Sequence, residues 1–175
     1  MLADDALILL VGPSGAGKST WASGRFRPYE VLESDAFRAM VADDATDQAA
    51  TADAFKLLHA VTRARTRRGL RTVVDATNLT AGARRALLRI ATRASRPVVA
   101  VIFDVSLERC LTQNEKRRGR RVPGDVIRRQ HGQLRAARRD IDKEGYATVF
   151  ILRDDDLPAA DGGAGGSQDG WPPPR

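Results

Sequence analysis

The stretch GPSGAGKS at residues 12–19 follows the short apolar run ALILLV at residues 6–11 and leaves this chain little choice of fold. It matches G-x-x-x-x-G-K-[ST] without substitution, and the context is a predicted strand before it and a predicted helix after it. Gly12, Gly15 and Gly17 let the backbone turn so that successive N–H groups face one point, where a helix N-terminus adds its partial positive charge. Such a cradle suits a phosphate. Lys18 would place its ammonium on the β- and γ-phosphates of a nucleotide, and the Ser19 hydroxyl would ligate Mg²⁺. The expected nucleotide-binding set is Gly12, Ser14, Gly15, Ala16, Gly17, Lys18, Ser19 and Thr20, with ATP or another nucleoside triphosphate as the donor.

Downstream, apolar strand-like runs alternate with helical patterns. YEVLES (29–34), RTVVDATN (71–78), PVVAVIFDV (97–105) and ATVFIL (147–152) read as strands. Residues 51–68 read as a helix with Ala54, Phe55, Leu58 and Val61 inward, ended by Gly69. Residues 80–94 read as a helix with Leu87, Leu88 and Ile90 inward and an arginine face outward. Ser106 caps a helix that runs to about Lys116, and Pro123 opens a long one that reaches about Glu144. Alternation of this kind implies βαβ units, hence an α/β fold with a largely parallel sheet covered by helices on both faces.

The chain has 175 residues, a length that favours a single domain, expected here over 1–153. Residues 154–175, rich in Gly, Asp and Pro, read as a disordered tail. No apolar run is long enough to span a bilayer, and the N-terminus carries acids where an export signal needs positive charge. The lone Cys110 excludes an internal disulfide. Together these point to a cytoplasmic protein without membrane attachment. The net charge of +7 points to a polyanionic partner, although arginine-rich, alanine-rich coding contributes to the same excess.

Two aspartates end hydrophobic strands, Asp75 and Asp104. Asp75 is the preferred partner for a bound cation, because Thr77 and Asn78 follow it at the carboxyl end of a strand. In ESDAFR (33–38), Asp35 sits at a helix start on the same sheet edge as the phosphate loop. It is either a helix-capping carboxylate or the base that takes a proton from an acceptor hydroxyl. Arg38 follows one turn later on the same face. Arg117, Arg118, Arg120 and Arg121 lie between two helices, where a kinase lid would close over a transferring phosphoryl group. His59 and His131 have no metal-ligand partners in their helices, and Cys110 reads as a small buried hydrophobe.

In order, GPSGAGKST, SDAFR, VVDATN, FDVSLERC, N-x-x-R-x-x-R with VP, and EGYATVFIL closely resemble the 5′-hydroxyl polynucleotide kinase domain of bacterial polynucleotide kinase-phosphatases and phage polynucleotide kinases. The resemblance covers residues 6–152. It implies a five-stranded parallel P-loop NTPase-type sheet with an arginine-rich lid, and any nucleoside triphosphate as donor. It implies Asp35 as general base, Arg38 on the phosphate 3′ to the terminal nucleoside, and Arg117 and Arg120 on the donor phosphates. Arg121 leaves that last register open by one. Asp75 and Asn78 join Asp35 and Arg38 on the acceptor side, with nucleic acid 5′-OH ends as acceptor. Family members carry further domains after the kinase, whereas a short tail follows here. A small hydroxyl compound as acceptor, or a nucleotide-dependent nucleic-acid-binding switch without transfer, stays open. The oligomeric state is not legible.

Overall fold

Strand β1 (Leu7–Val11) is buried at every residue because it lies in the middle of the sheet. The computed structural model describes residues 3–117 and 121–158. Five parallel strands run in the order β2-β3-β1-β4-β5, where β2 is Val31–Glu33, β3 Thr72–Asp75, β4 Val98–Phe103 and β5 Thr148–Leu152. In register, Leu10 faces Asp75 of β3 and Val101 of β4.

The period-two alternation of a strand builds two cores from one run of apolar residues. Leu7, Leu9 and Val11 join Ala100 and Ile102 on one face. Ile8 and Leu10 join Val101 and Phe103 on the other. On the first face pack α3 (Thr51–Arg67) through Ala54 and Leu58 and α4 (Ala81–Arg93) through Leu87 and Ala91. On the second pack α1 (Lys18–Ser23) through Trp21 and α5 (Leu107–Glu115) through Cys110. The long helix α6 (Gly124–Asp140) contributes Ile127 to the second core and Leu134 and Ala137 to the first. Each such aliphatic side chain, fully buried, contributes roughly 1.5–3 kcal/mol.

The expected elements all form, with shifted ends. The second strand keeps only three residues, since Pro28–Glu30 makes a 3₁₀ turn before it and Ser34 already belongs to α2 (Ser34–Ala42). The last helix stops at Asp140, and a 3₁₀ turn (Ile141–Lys143) leads to Gly145 at φ +87°.

Two inward assignments change. Val61 is 36% exposed, and the face it was expected to share is completed by Thr62 and Thr66. Their hydroxyls donate to the carbonyls of Leu58 and Thr62, so burial leaves no polar group unpaired. On α4, Arg84 leaves the outward arginine face and is 1% exposed. It donates to both carboxylate oxygens of Glu144 (2.8 and 2.6 Å) and to the carbonyls of Asn78 and Leu79. Hydropathy patterning cannot find such a residue, because its partner lies 60 positions away.

Beyond residue 153 the chain makes a further 3₁₀ turn (Asp154–Asp156) and buries Leu157 in the second core. Residues 159–175 of the expected tail lie outside the described residues.

Candidate active site

The phosphate loop connects β1 to α1, and its backbone leaves no room for a side chain at Gly12 or Gly15. Gly15 has φ +79°, and a Cβ there would lie 2.1 Å from the Cys110 carbonyl oxygen. Gly17 caps α1 at φ +91°. The loop closes around Lys18, whose Nζ donates to the carbonyls of Gly12 (2.9 Å) and Pro13 (2.7 Å). Burial pushes the Lys18 ammonium below its usual range, against the pull of the Asp75 carboxylate, and the Arg117 guanidinium pushes it further down.

Asp75, at the end of β3, accepts a 2.6 Å hydrogen bond from the Ser19 hydroxyl. Parallel pairing of β1 with β3 brings the two together from 56 positions apart. Asp104 instead pairs with Arg138 on α6, at 2.5 Å. Of the two strand-end aspartates, Asp75 is therefore the one beside the loop.

Across a cavity of about 240 Å³ from Lys18 and Ser19 stand Asp35 and Arg38, in the first turns of α2. Arg38 is 7% exposed, and its Nη1 donates to the Asp35 carboxylate and to the Ala45 carbonyl. Its buried Nε has no partner among the described residues. Arg117 lines the same cavity, whereas Arg118 and Arg120 lie outside the described residues.

The structure thus gathers Ser14, Lys18, Ser19, Asp35, Arg38 and Asp75 with Arg117 around one cavity. Asn78 does not join them. It is 2% exposed at φ +48°, and its amide donates to the Leu10 carbonyl, tying the segment after β3 to β1. Thr20 faces outward on α1. His131 meets the Val105 carbonyl, and burial pushes the Cys110 thiol up to about 11, which suits an inert side chain.

Several lining residues fall outside the expected set, among them Glu33, Gln130 and Thr77. Glu33 ends β2 beside Asp35, and burial, then the Asp75 and Asp35 carboxylates, hold its carboxyl above the ordinary range. Its position directly before SDAFR is a signal available in the sequence. Gln130 of α6 accepts a 2.8 Å hydrogen bond from the Ser14 backbone N–H, and nothing local marks it. Thr77, whose carbonyl accepts from the Gly12 N–H at 3.0 Å, lines the same cavity.

The cavity's residues fit a nucleotide and its cation. The loop supplies convergent donors, and Ser19 with Asp75 supplies two oxygens at its mouth. Mg²⁺ keeps several waters and takes few protein ligands beside phosphate. Among the described residues no cluster of three or more His, Cys, Asp or Glu is set to hold a metal. No helix of the described residues is long and apolar enough to cross a membrane.

The AAA domain family matches residues 7–141. Among curated proteins no relative matches. Solved structures share this five-stranded parallel fold. One similar solved structure is the Pnkp1/Rnl/Hen1 RNA repair complex, at TM-score 0.68 and 23% identity over 80% of this chain and 47% of that one. The chain spans about half the length of that match. A sugar kinase from Janibacter sp. HTCC2649 aligns at TM-score 0.59 and 21% identity, covering 85% of this chain and 84% of that one. The Mycobacterium tuberculosis APS kinase CysC, in complex with AMPPNP and APS, aligns at 0.51 and 21%, covering 89% and 91%.

Proposed function

The chain belongs to the AAA domain family, and from that premise we propose a kinase that moves the γ-phosphate of a nucleoside triphosphate to the 5′-hydroxyl end of a polynucleotide. The observation that carries the reading is the Asp35–Arg38 pair facing Lys18, Ser19 and Asp75 across one cavity. A nucleotide kinase needs a phosphate cradle on one side and, opposite it, a base with a group that positions the acceptor.

Lys18 sets its charge against the β- and γ-phosphates, and the loop N–H groups hold them. Ser19, its hydroxyl oriented by Asp75, would bind Mg²⁺, which when present neutralises phosphate charge. Asp35 accepts the proton of the acceptor hydroxyl while that oxygen bonds to the γ-phosphorus. The bond from the γ-phosphorus to the bridging oxygen breaks, and the nucleoside diphosphate leaves. Arg38, which lines the cavity beside Asp35, would turn its guanidinium donors to the acceptor's own phosphate. Arg117 adds charge over the transferring group, and Arg120 belongs to the same proposed lid.

The small size of the cavity, with Phe55 as the sole aromatic ring among its described lining residues, favours a second reading in which the acceptor is a compact hydroxyl compound such as a nucleoside or sugar. Labelled ATP and Mg²⁺ offered with 5′-OH oligonucleotides, nucleosides and sugars separates the two. Label on the oligonucleotide 5′ end is expected, and label confined to small molecules overturns the polynucleotide reading.

A further inference from the structure

A second cavity, of about 420 Å³, lies between α3 and α4, away from the phosphate loop. Arg63 and Arg67 line it from α3, and Arg89 and Arg93 from α4. On each helix the two arginines are four residues apart, so they lie one turn apart on the same side. Among the described residues no carboxylate pairs with any of the four, whereas Arg38, Arg71, Arg84, Arg96, Arg109 and Arg138 all meet acids. The floor between them is neutral, formed by Thr66, Ala86, Ile90 and Ala94. Concentrating four guanidinium groups around a neutral floor costs repulsion unless an anion sits among them.

This groove and the active-site cavity are both lined by α3. Along α3, Thr51, Phe55, His59, Arg63 and Arg67 recur every four residues. Thr51 and Phe55 line the cavity that holds Asp35 and Arg38, and the other three line the groove. The rings of Phe55, which lines the active-site cavity, and His59, which lines the groove, meet edge to face at 6.0 Å. Such a row is inclined to the helix axis, so it turns from the α2 side of α3 toward α4 as it descends. At 1.5 Å per residue it is about 24 Å long, the span of roughly seven nucleotides of one strand.

We propose that this row is the track of the acceptor polynucleotide: its 5′ end enters the Asp35 cavity and its downstream phosphates lie among Arg63, Arg67, Arg89 and Arg93. The inference rests on the polynucleotide reading above. Repeated phosphodiesters suit it better than a small anion does, because the guanidinium groups are strung along the groove and arginine's fork matches phosphate oxygens.

The test compares the intact protein with a variant carrying Arg63→Gln, Arg67→Gln, Arg89→Gln and Arg93→Gln, and with the matching fourfold Arg→Lys variant. Binding of a labelled single-stranded oligonucleotide of about 20 nucleotides is followed by anisotropy across salt concentrations, without ATP. Four lost phosphate contacts lower the slope of log K against log salt by about 3. At moderate salt the glutamine variant binds at least about tenfold more weakly, and the lysine variant recovers most of the slope. In the transfer assay, KM rises for the long acceptor and not for one of about 3 nucleotides, which ends before the groove. Equal salt slopes and equal length dependence in all three proteins overturn the track while leaving the kinase reading intact. Arginine-dependent binding without transfer to any polynucleotide overturns the kinase reading and keeps the groove as a polynucleotide site. Displacement of the oligonucleotide by polyglutamate at lower concentration than by unlabelled oligonucleotide also overturns the track. Equal thermal unfolding midpoints show that the variants are folded.

Discussion

The Ser19 hydroxyl reaches the Asp75 carboxylate at 2.6 Å, joining the end of the phosphate loop to the end of the neighbouring strand. Their residue types are set locally, whereas their meeting depends on β1 pairing with β3 in one register. Asp75→Asn keeps the shape and removes the charge that orients the hydroxyl. Outer partners of metal ligands typically matter 10–100-fold, and a loss of that order in activity is expected, with more Mg²⁺ needed for half-maximal rate. A Mg²⁺ titration of transfer measures it, and an unchanged titration curve removes Asp75 from the cation's surroundings.

Asp35→Asn separates chemistry from binding. Loss of a general base costs typically 10²–10⁴-fold in rate, and kcat is expected to fall by that order with nucleotide affinity unchanged. Asp35 is in the first turn of α2, so its loss also weakens a helix end by a few tenths of a kcal/mol. Near-normal kcat would leave Asp35 only its favourable charge in the first turn of α2.

Gly15 and Gly132 give opposite outcomes for the same substitution. Gly15→Ala puts a Cβ against the Cys110 backbone at a positive φ, and nucleotide binding is expected to collapse with the loop. Gly132 lies inside α6 with nothing within 4 Å of its would-be Cβ, so Gly132→Ala should stabilise by about 0.5–1 kcal/mol. Nucleotide titration and denaturant unfolding of both variants check the pair.

Glu144→Gln leaves the Arg84 charge buried without its counter-charge. Breaking a buried pair from one side costs about 3–5 kcal/mol, and a destabilisation near the low end is expected because glutamine still accepts one hydrogen bond. Urea unfolding measures it. A change under about 1 kcal/mol would mean that solvent reaches the pair.

Glu33 supplies a pH signature. Its raised carboxyl takes up a proton more readily in the folded chain than in the unfolded one. That favours the fold below the ordinary value of 4.5, and the advantage is lost as pH rises through the raised folded value. Glu33→Gln mimics the protonated form, so the variant should gain stability over the native protein between about pH 4 and about pH 7. Parallel unfolding curves at both pH values would show that Glu33 is not desolvated.

Much of the molecule is legible in the linear chain because it rests on short-range rules. Strand alternation in ALILLV, the glycines of the loop and the caps at Thr80 and Ser106 each depend on neighbours within a few residues. From these the parallel sheet and the phosphate cradle follow. The preference for Asp75 over Asp104 was available too, yet only as a preference, since both end apolar strands. Pairing in space gave Ser19 to the first and Arg138 to the second. Long-range packing also decided what no local pattern encodes. It buried Arg84 against Glu144, spent the Asn78 side chain on Leu10, brought Gln130 to Ser14 and set the arginines of α3 and α4 around one groove. A hydrogen bond or ion pair is a relation between two positions, and sequence periodicity describes only one position at a time.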